Sequence, residues 1–267
     1  MENIRFDFAR LEKAIGQESR NLGITNQIGD AMEKTTKVLS LCGEFSQGRK
    51  IAYRIGKNIL LSNSHPKIVV AVCPDYSHKN GKYTFCSLGS GVSLLTEKHL
   101  TFLKQVREVF PELKVLFLIA DHEADDQELC KVVGKTRDEF AYCLSLSIDE
   151  TKKRVLQFGW EVDRMTSVIK NLVDEEKRNI SSISANPKFQ SRIRSDTLAR
   201  SDMYRKIRRS FTSDEMIQRT IKTAAQYITL GQFASCNNYL ACNHTTTNLS
   251  WYLQTDVAVL HNPISVY

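Results

Sequence analysis

The 267 residues carry 37 Lys and Arg against 30 Asp and Glu, a net charge of +7, with 42% hydrophobic and 25% charged residues. That apolar share excludes a disordered chain, and 12 Gly with 5 Pro exclude a collagen-like one. The longest apolar runs, Ile68–Cys73 and Val115–Ala120, fall far short of the ~20 residues that cross a bilayer, so no membrane partner is expected.

Ile4, Phe8, Leu11 and Ile15 recur at helical spacing and predict an amphipathic helix over 3–16. Charges at Arg5, Asp7, Arg10, Glu12 and Lys13 speak for that helix and against a leader sequence. Seven cysteines with no CxxC spacing read as reduced thiols of a cytoplasmic protein. Residues 34–62 show no clear period, but Arg49, Lys50, Arg54 and Lys57 form a small basic cluster.

Ile68–Val72 is rich in β-branched residues and predicts a strand buried on both faces. The connection 74–93 holds Asn80-Gly81, a short strand candidate at Tyr83–Cys86, and the run Ser87-Leu88-Gly89-Ser90-Gly91. A helix with Thr96 as N-cap and Leu100, Leu103, Val106 and Phe110 on one face follows, and Pro111 stops it. Lys114–Ala120 is the second buried strand. Strand, helix, strand predicts an α/β fold of Rossmann type, a parallel sheet flanked by helices. Ligands of such sheets sit beyond the carboxyl ends of the strands, here Cys73 with the loop after it, and Asp121–Asp126.

Val155, Phe158, Val162, Met165, Ile169 and Leu172 extend a helical period from Asp149 to about Asn179, and Ser181–Pro187 breaks it. Thr212 and Glu215 predict a capping box before a helix carrying Ile217, Ile221, Ala224 and Ile228. Val257–Leu260 reads as a last strand, with Trp251–Leu253 approaching it. No repeat or Gly/Ser linker divides the chain, so one domain over 1–267 is expected.

The Gly/Ser run could be a plain turn or a site. Small residues let a substrate approach the backbone, free N–H groups before a helix favour an oxyanion, and a serine there could be a nucleophile. It lacks the Gly-Lys-Ser/Thr of a P-loop and is no GxGxxG. Cys73 is a rival nucleophile or a buried strand cysteine. Asp121-His122-Glu123 with Asp125-Asp126 reads as an acidic rim rather than a metal site, since adjacent loop residues diverge and His122 has no spaced mate.

Between Lys188 and Arg209 lie Lys188, Arg192, Arg194, Arg200, Arg205, Lys206, Arg208 and Arg209 against Asp196 and Asp202, a local excess of +6. Such a concentration suits a phosphate backbone, although a solvated helix face has the same composition.

The element order resembles the tRNA-dependent cyclodipeptide synthases over about residues 67–262. The features carrying it are strand 67–72, Ser87-Leu88-Gly89, helix 96–110, strand 114–120, the acidic turn, the basic helices, Tyr227 and Trp251-Tyr252. The resemblance implies a fold similar to the catalytic domain of class I aminoacyl-tRNA synthetases. It implies two aminoacyl-tRNA substrates, a cyclic dipeptide product, and neither cofactor nor metal. By that match Ser87 accepts the first aminoacyl group, Tyr227 holds its amine and Tyr252 supports the serine. Gly89, Ser90, Gly91, Asp121 and His122 would line the substrate site, and Arg192, Arg194, Arg205, Lys206, Arg208 and Arg209 would contact tRNA.

The chain departs from the family pattern at three places. Gly231 stands where the family has a catalytic Glu, with Gln232 beside it. Gln is no general base, so proton transfer falls to another group. Leu253 replaces the usual His or Pro, and the longer first loop favours Cys73 as the competing nucleophile. The loop from Pro74 through Lys79-Asn80 to Leu88-Gly89 is also similar to the start of the isonitrile synthases, Rossmann-type enzymes acting on free amino acids. A non-catalytic tRNA-binding relative is the third reading.

Overall fold

The structure is a computed structural model. It describes residues 8–21, 23, 28–42, 48–61, 66–72, 76–79, 82–85, 94–121, 127, 130, 134–206, 212–244, 250–253, 257 and 259–262. In chain order it begins with three helices, α1 (Phe8–Asn21), α2 (Ile28–Leu41) and α3 (Gly48–Leu61). Strand β1 (Lys67–Val72), the pair β2 (Tyr76–Lys79) and β3 (Lys82–Phe85), helix α4 (Leu94–Val109) and strand β4 (Lys114–Ile119) follow. Then come α5 (Arg137–Leu156), β5 (Glu161–Arg164), α6 (Met165–Val168), α7 (Leu172–Ala185), α8 (Pro187–Lys206) and α9 (Ser213–Cys236). The last elements are β6 (Tyr239–His244), α10 (Ser250–Leu253) and β7 (Val259–Asn262).

The two apolar runs form the middle of a five-stranded sheet in the order β5-β4-β1-β6-β7. Every neighbouring pair is parallel, with Ile68 opposite both Val115 and Leu240. Both faces are covered, which explains why these strands read as unbroken apolar runs. Ile68, Val70, Val72, Phe117, Ile119 and Leu240 pack beneath helices α1 to α5. Val69, Leu116, Leu118, Ala241 and Val259 pack on the other face against α6, α7, α9 and α10. Each fully buried side chain of this size contributes roughly 1.5–3 kcal/mol. This is the doubly wound α/β architecture the sequence predicts.

Local chemistry sets several boundaries. The capping box before α9 is present: Thr212 N–H donates to the Glu215 carboxylate at 2.8 Å, and Glu215 N–H donates to Thr212 Oγ1. Thr136 and Glu139 build the same motif before α5. The N-terminal helix runs on to Asn21 rather than ending at Gly16, and residues 1–7 lie outside the description. Thr96 is not an N-cap. Helix α4 begins at Leu94, and Thr96 is buried in its first turn.

The expected helix from Asp149 to Asn179 is corrected most. Helix α5 stops at Leu156, and Gly159 with a φ of +70° turns the chain back. Trp160 then buries itself against Phe158 and Phe117, and residues 161–164 join the sheet as β5. Helix α7 passes through Ser181 to Ala185, and the break narrows to Asn186 because Pro187 suits a helix start. Trp251–Leu253 belongs to a helical turn, Ser250–Leu253, and the last strand lies at Val259–Asn262 rather than Val257–Leu260. The Tyr83–Cys86 candidate is met by β3 at Lys82–Phe85, with β2 as its antiparallel mate, and Cys86 lies outside the described residues.

Candidate functional site

The strand order fixes where a site can form. Strands β1, β4 and β5 are added in one direction, and β6 and β7 in the other. The order therefore reverses between β1 and β6, and in open parallel sheets ligands bind beyond the carboxyl ends at such a reversal. Cys73 follows the last residue of β1, and Asn243 and His244 end β6. The register sets Asn243 beside His261 and His244 beside Asn262 of β7, so polar residue types crowd this edge. Asn243 is itself buried.

Asp121 follows β4 at the same edge. Its carboxylate accepts from the Thr166 backbone N–H at 3.1 Å and from the Thr166 hydroxyl. This brace ties the end of β4 to the start of α6 and commits both Asp121 oxygens to protein. The pair was not legible beforehand, because Thr166 is 45 residues away.

Above the second face, α7, α8, α9 and α10 enclose a separate apolar cluster of Ile183, Ile193, Ile221, Ala224, Ala225, Ile228 and Tyr252. Tyr227 lies half-buried between this cluster and the sheet. Gln232 faces α7, where its Oε1 accepts from Asn179 Nδ2 at 3.1 Å. Asn179 Nδ2 also donates to Thr229 at 2.9 Å. One turn earlier on α7, Glu176 is only 7% exposed, and burial pushes its carboxyl up to about 7 against the opposing pull of Lys222.

Tyr252 is fully buried and donates its hydroxyl to Asp196 Oδ2 at 3.0 Å. Arg192 Nε donates to the same oxygen at 3.2 Å. Phe189 stacks on Tyr252, while Lys188 and Arg192 lie 6.0 and 5.7 Å from the centre of the Trp251 ring. The basic helix and the tyrosine-bearing turn are thus one packed unit. Nothing in the sequence marks Asp196 beyond its charge, because its partner is 56 residues distant.

Of the sequence-predicted site residues, Tyr227, Gln232, Tyr252, Asp121, Arg192 and Arg194 are described, and Arg194 is exposed. Arg205 and Lys206 close α8, with their side chains outside the description. Cys73, Ser87, Gly89, Ser90, Gly91, His122, Arg208 and Arg209 lie outside the described residues. The structure brings Tyr252 and Arg192 together through Asp196; Gln232 bonds α7 instead.

Two other features bear on where chemistry could occur. Cys242 approaches His99 Nδ1 at 3.6 Å, but full burial pushes its thiol well up, which disfavours the thiolate a nucleophile requires. A cleft of about 490 Å³ is lined by Leu156, Glu161, Asp163, Phe233, Asn237 and Tyr239 among others. Glu161 and Tyr239 start their strands, so this cleft opens at the amino edge of the sheet, opposite the carboxyl ends. Among the described residues no His, Cys, Asp or Glu group is arranged to hold a metal, and no helix is long and apolar enough to cross a membrane.

No protein-family model and no curated protein matches the chain. Among solved structures, the crystal structure of the PvcA protein from Pseudomonas aeruginosa is similar with a TM-score of 0.46 and 12% sequence identity. The likeness covers 78% of each chain and is one of general arrangement alone.

Proposed function

We propose that this chain joins two aminoacyl groups, delivered on tRNA, into a cyclic dipeptide through a covalent aminoacyl-enzyme. One observation supports the reading above the others. The cation-rich helix α8 packs directly on the turn carrying Tyr252 and on α9, which carries Tyr227. A surface suited to RNA phosphates and the two tyrosines of the resemblance therefore belong to one bundle.

The chemistry needs no separate activation, because an aminoacyl ester on tRNA is already reactive. Ser87 Oγ attacks the ester carbonyl, its proton passes to the departing 3′-oxygen, and tRNA leaves as the free 3′-hydroxyl. Backbone N–H groups of Gly89–Val92 hold the oxyanion. The amine of the seryl ester then attacks the second aminoacyl-tRNA and releases its tRNA. The free amine of the resulting dipeptidyl ester closes the ring and expels Ser87. The phosphate contacts read acceptor-stem shape rather than base sequence.

Cells overproducing the chain should release a compound with the mass of two amino acids minus two waters, missing from empty-vector cultures. A supernatant without any such mass points instead to an enzyme on free amino acids or to an RNA-binding protein. Binding should also fall steeply with salt. Arg194→Ala should weaken tRNA binding for every tRNA alike and lower the slope of log K against log salt by about 1, the release of one phosphate contact. A salt-independent complex would contradict the role of α8.

A further inference from the structure

Burying the carboxylate of Asp196, which is 1% exposed, is costly unless a counter-charge lies close. Arg192, one turn earlier, supplies it through Oδ2. Yet Arg192 is not enclosed. Its side chain is 35% exposed and its guanidinium lies over the Trp251 ring. A partly exposed cation of the basic helix, a buried acid and a buried tyrosine are therefore joined through one oxygen atom. The other oxygen, Oδ1, is buried and takes no hydrogen bond among the described residues.

A phenol has one proton to give. Donated to Asp196, it leaves the Tyr252 oxygen able to meet any other group only as an acceptor. Burial and the Asp196 charge both hold the phenol away from ionisation, so Tyr252 is not a base either. A tyrosine held this way serves a donor, such as a serine hydroxyl or an amine N–H, and cannot stabilise an oxyanion.

We infer that Asp196 is the positioning residue of Tyr252, fixing its phenol as a hydrogen-bond acceptor for a hydroxyl or amine, and that Arg192 ties this setting to the polyanion face of α8. The inference rests on Tyr252 belonging to the site of the proposed reaction. It deepens that reading, since occupation of Arg192 by phosphate would loosen its hold on Asp196.

The decisive experiment is a double-mutant cycle on cyclic dipeptide formation. Tyr252→Phe and Asp196→Asn should each slow the reaction by about a hundredfold, the cost of a misplaced group. The double variant should be no slower than Tyr252→Phe alone. Losses that multiply would mean that Asp196 acts on folding rather than through Tyr252. A second readout needs no activity. With tyrosine carrying ¹³C at Cζ, the Tyr252 resonance is the one missing from Tyr252→Phe. It should shift in Asp196→Asn and in the milder surface variant Arg192→Gln. An unmoved resonance in both overturns the inference. Should the wild type make no cyclic dipeptide, the proposed function fails while the Cζ shift still decides the positioning role.

Discussion

Ser87→Ala should abolish cyclic dipeptide formation, by at least about a thousandfold, while leaving tRNA affinity unchanged. The magnitude follows from covalent catalysis. Without a hydroxyl no seryl ester forms, and one difficult acyl transfer is no longer split into two easier ones. Affinity should hold because the phosphate contacts proposed for α8 involve other residues. The comparison that gives the result its meaning is Cys73→Ala. Cys73 and Ser87 both fall in the stretch of sequence between β1 and α4. The expected outcome is near-normal product with Cys73→Ala and none with Ser87→Ala. The reverse pattern would move the nucleophile to the cysteine, and loss of binding in Ser87→Ala would mean that the variant had lost its fold.

Glu176→Gln should stabilise the protein above pH 7 relative to its effect below pH 5. The Glu176 carboxyl is pushed up to about 7 by burial against α9, compared with an ordinary value of 4.5. Below the ordinary value the group is protonated whether folded or unfolded, and the wild type has its full stability. As pH rises from there through 7, the unfolded chain ionises first and draws the equilibrium away from the folded state. The loss reaches about 3 kcal/mol once both states are ionised, because each pKa unit is worth about 1.4 kcal/mol. The amide that replaces the carboxyl in the variant does not ionise and escapes this cost. Denaturant melts from pH 5 to 8 should show a gap between variant and wild type that opens with pH. A gap of constant size would mean that Glu176 does not titrate in this range.

What the sequence revealed and what it hid have the same origin. Ile68–Val72 and Lys114–Ala120 were legible because strands buried on both faces need unbroken apolar runs. The Thr212–Glu215 box was legible because both partners lie within one turn. Strand β6, Tyr-Leu-Ala-Cys-Asn-His, contains no β-branched residue and owes its place to the neighbouring strands. Strand β5 has four residues, none fully buried, and its Val162 continued an accidental helical period. The candidate site followed the same rule. Its tyrosines and cations could be named from their order along the chain. Asp196, Thr166 and Asn179 could not, since each acts on a residue at least 45 positions away.

The most direct measurement is the intact mass of the purified protein mixed with aminoacyl-tRNA. A covalent route predicts a gain of one aminoacyl residue, carried by the peptide that contains Ser87 and lost in Ser87→Ala. A protein whose mass stays unchanged while cyclic dipeptide accumulates would contradict the aminoacyl-enzyme. A mass unchanged with no product at all would contradict the proposed function itself.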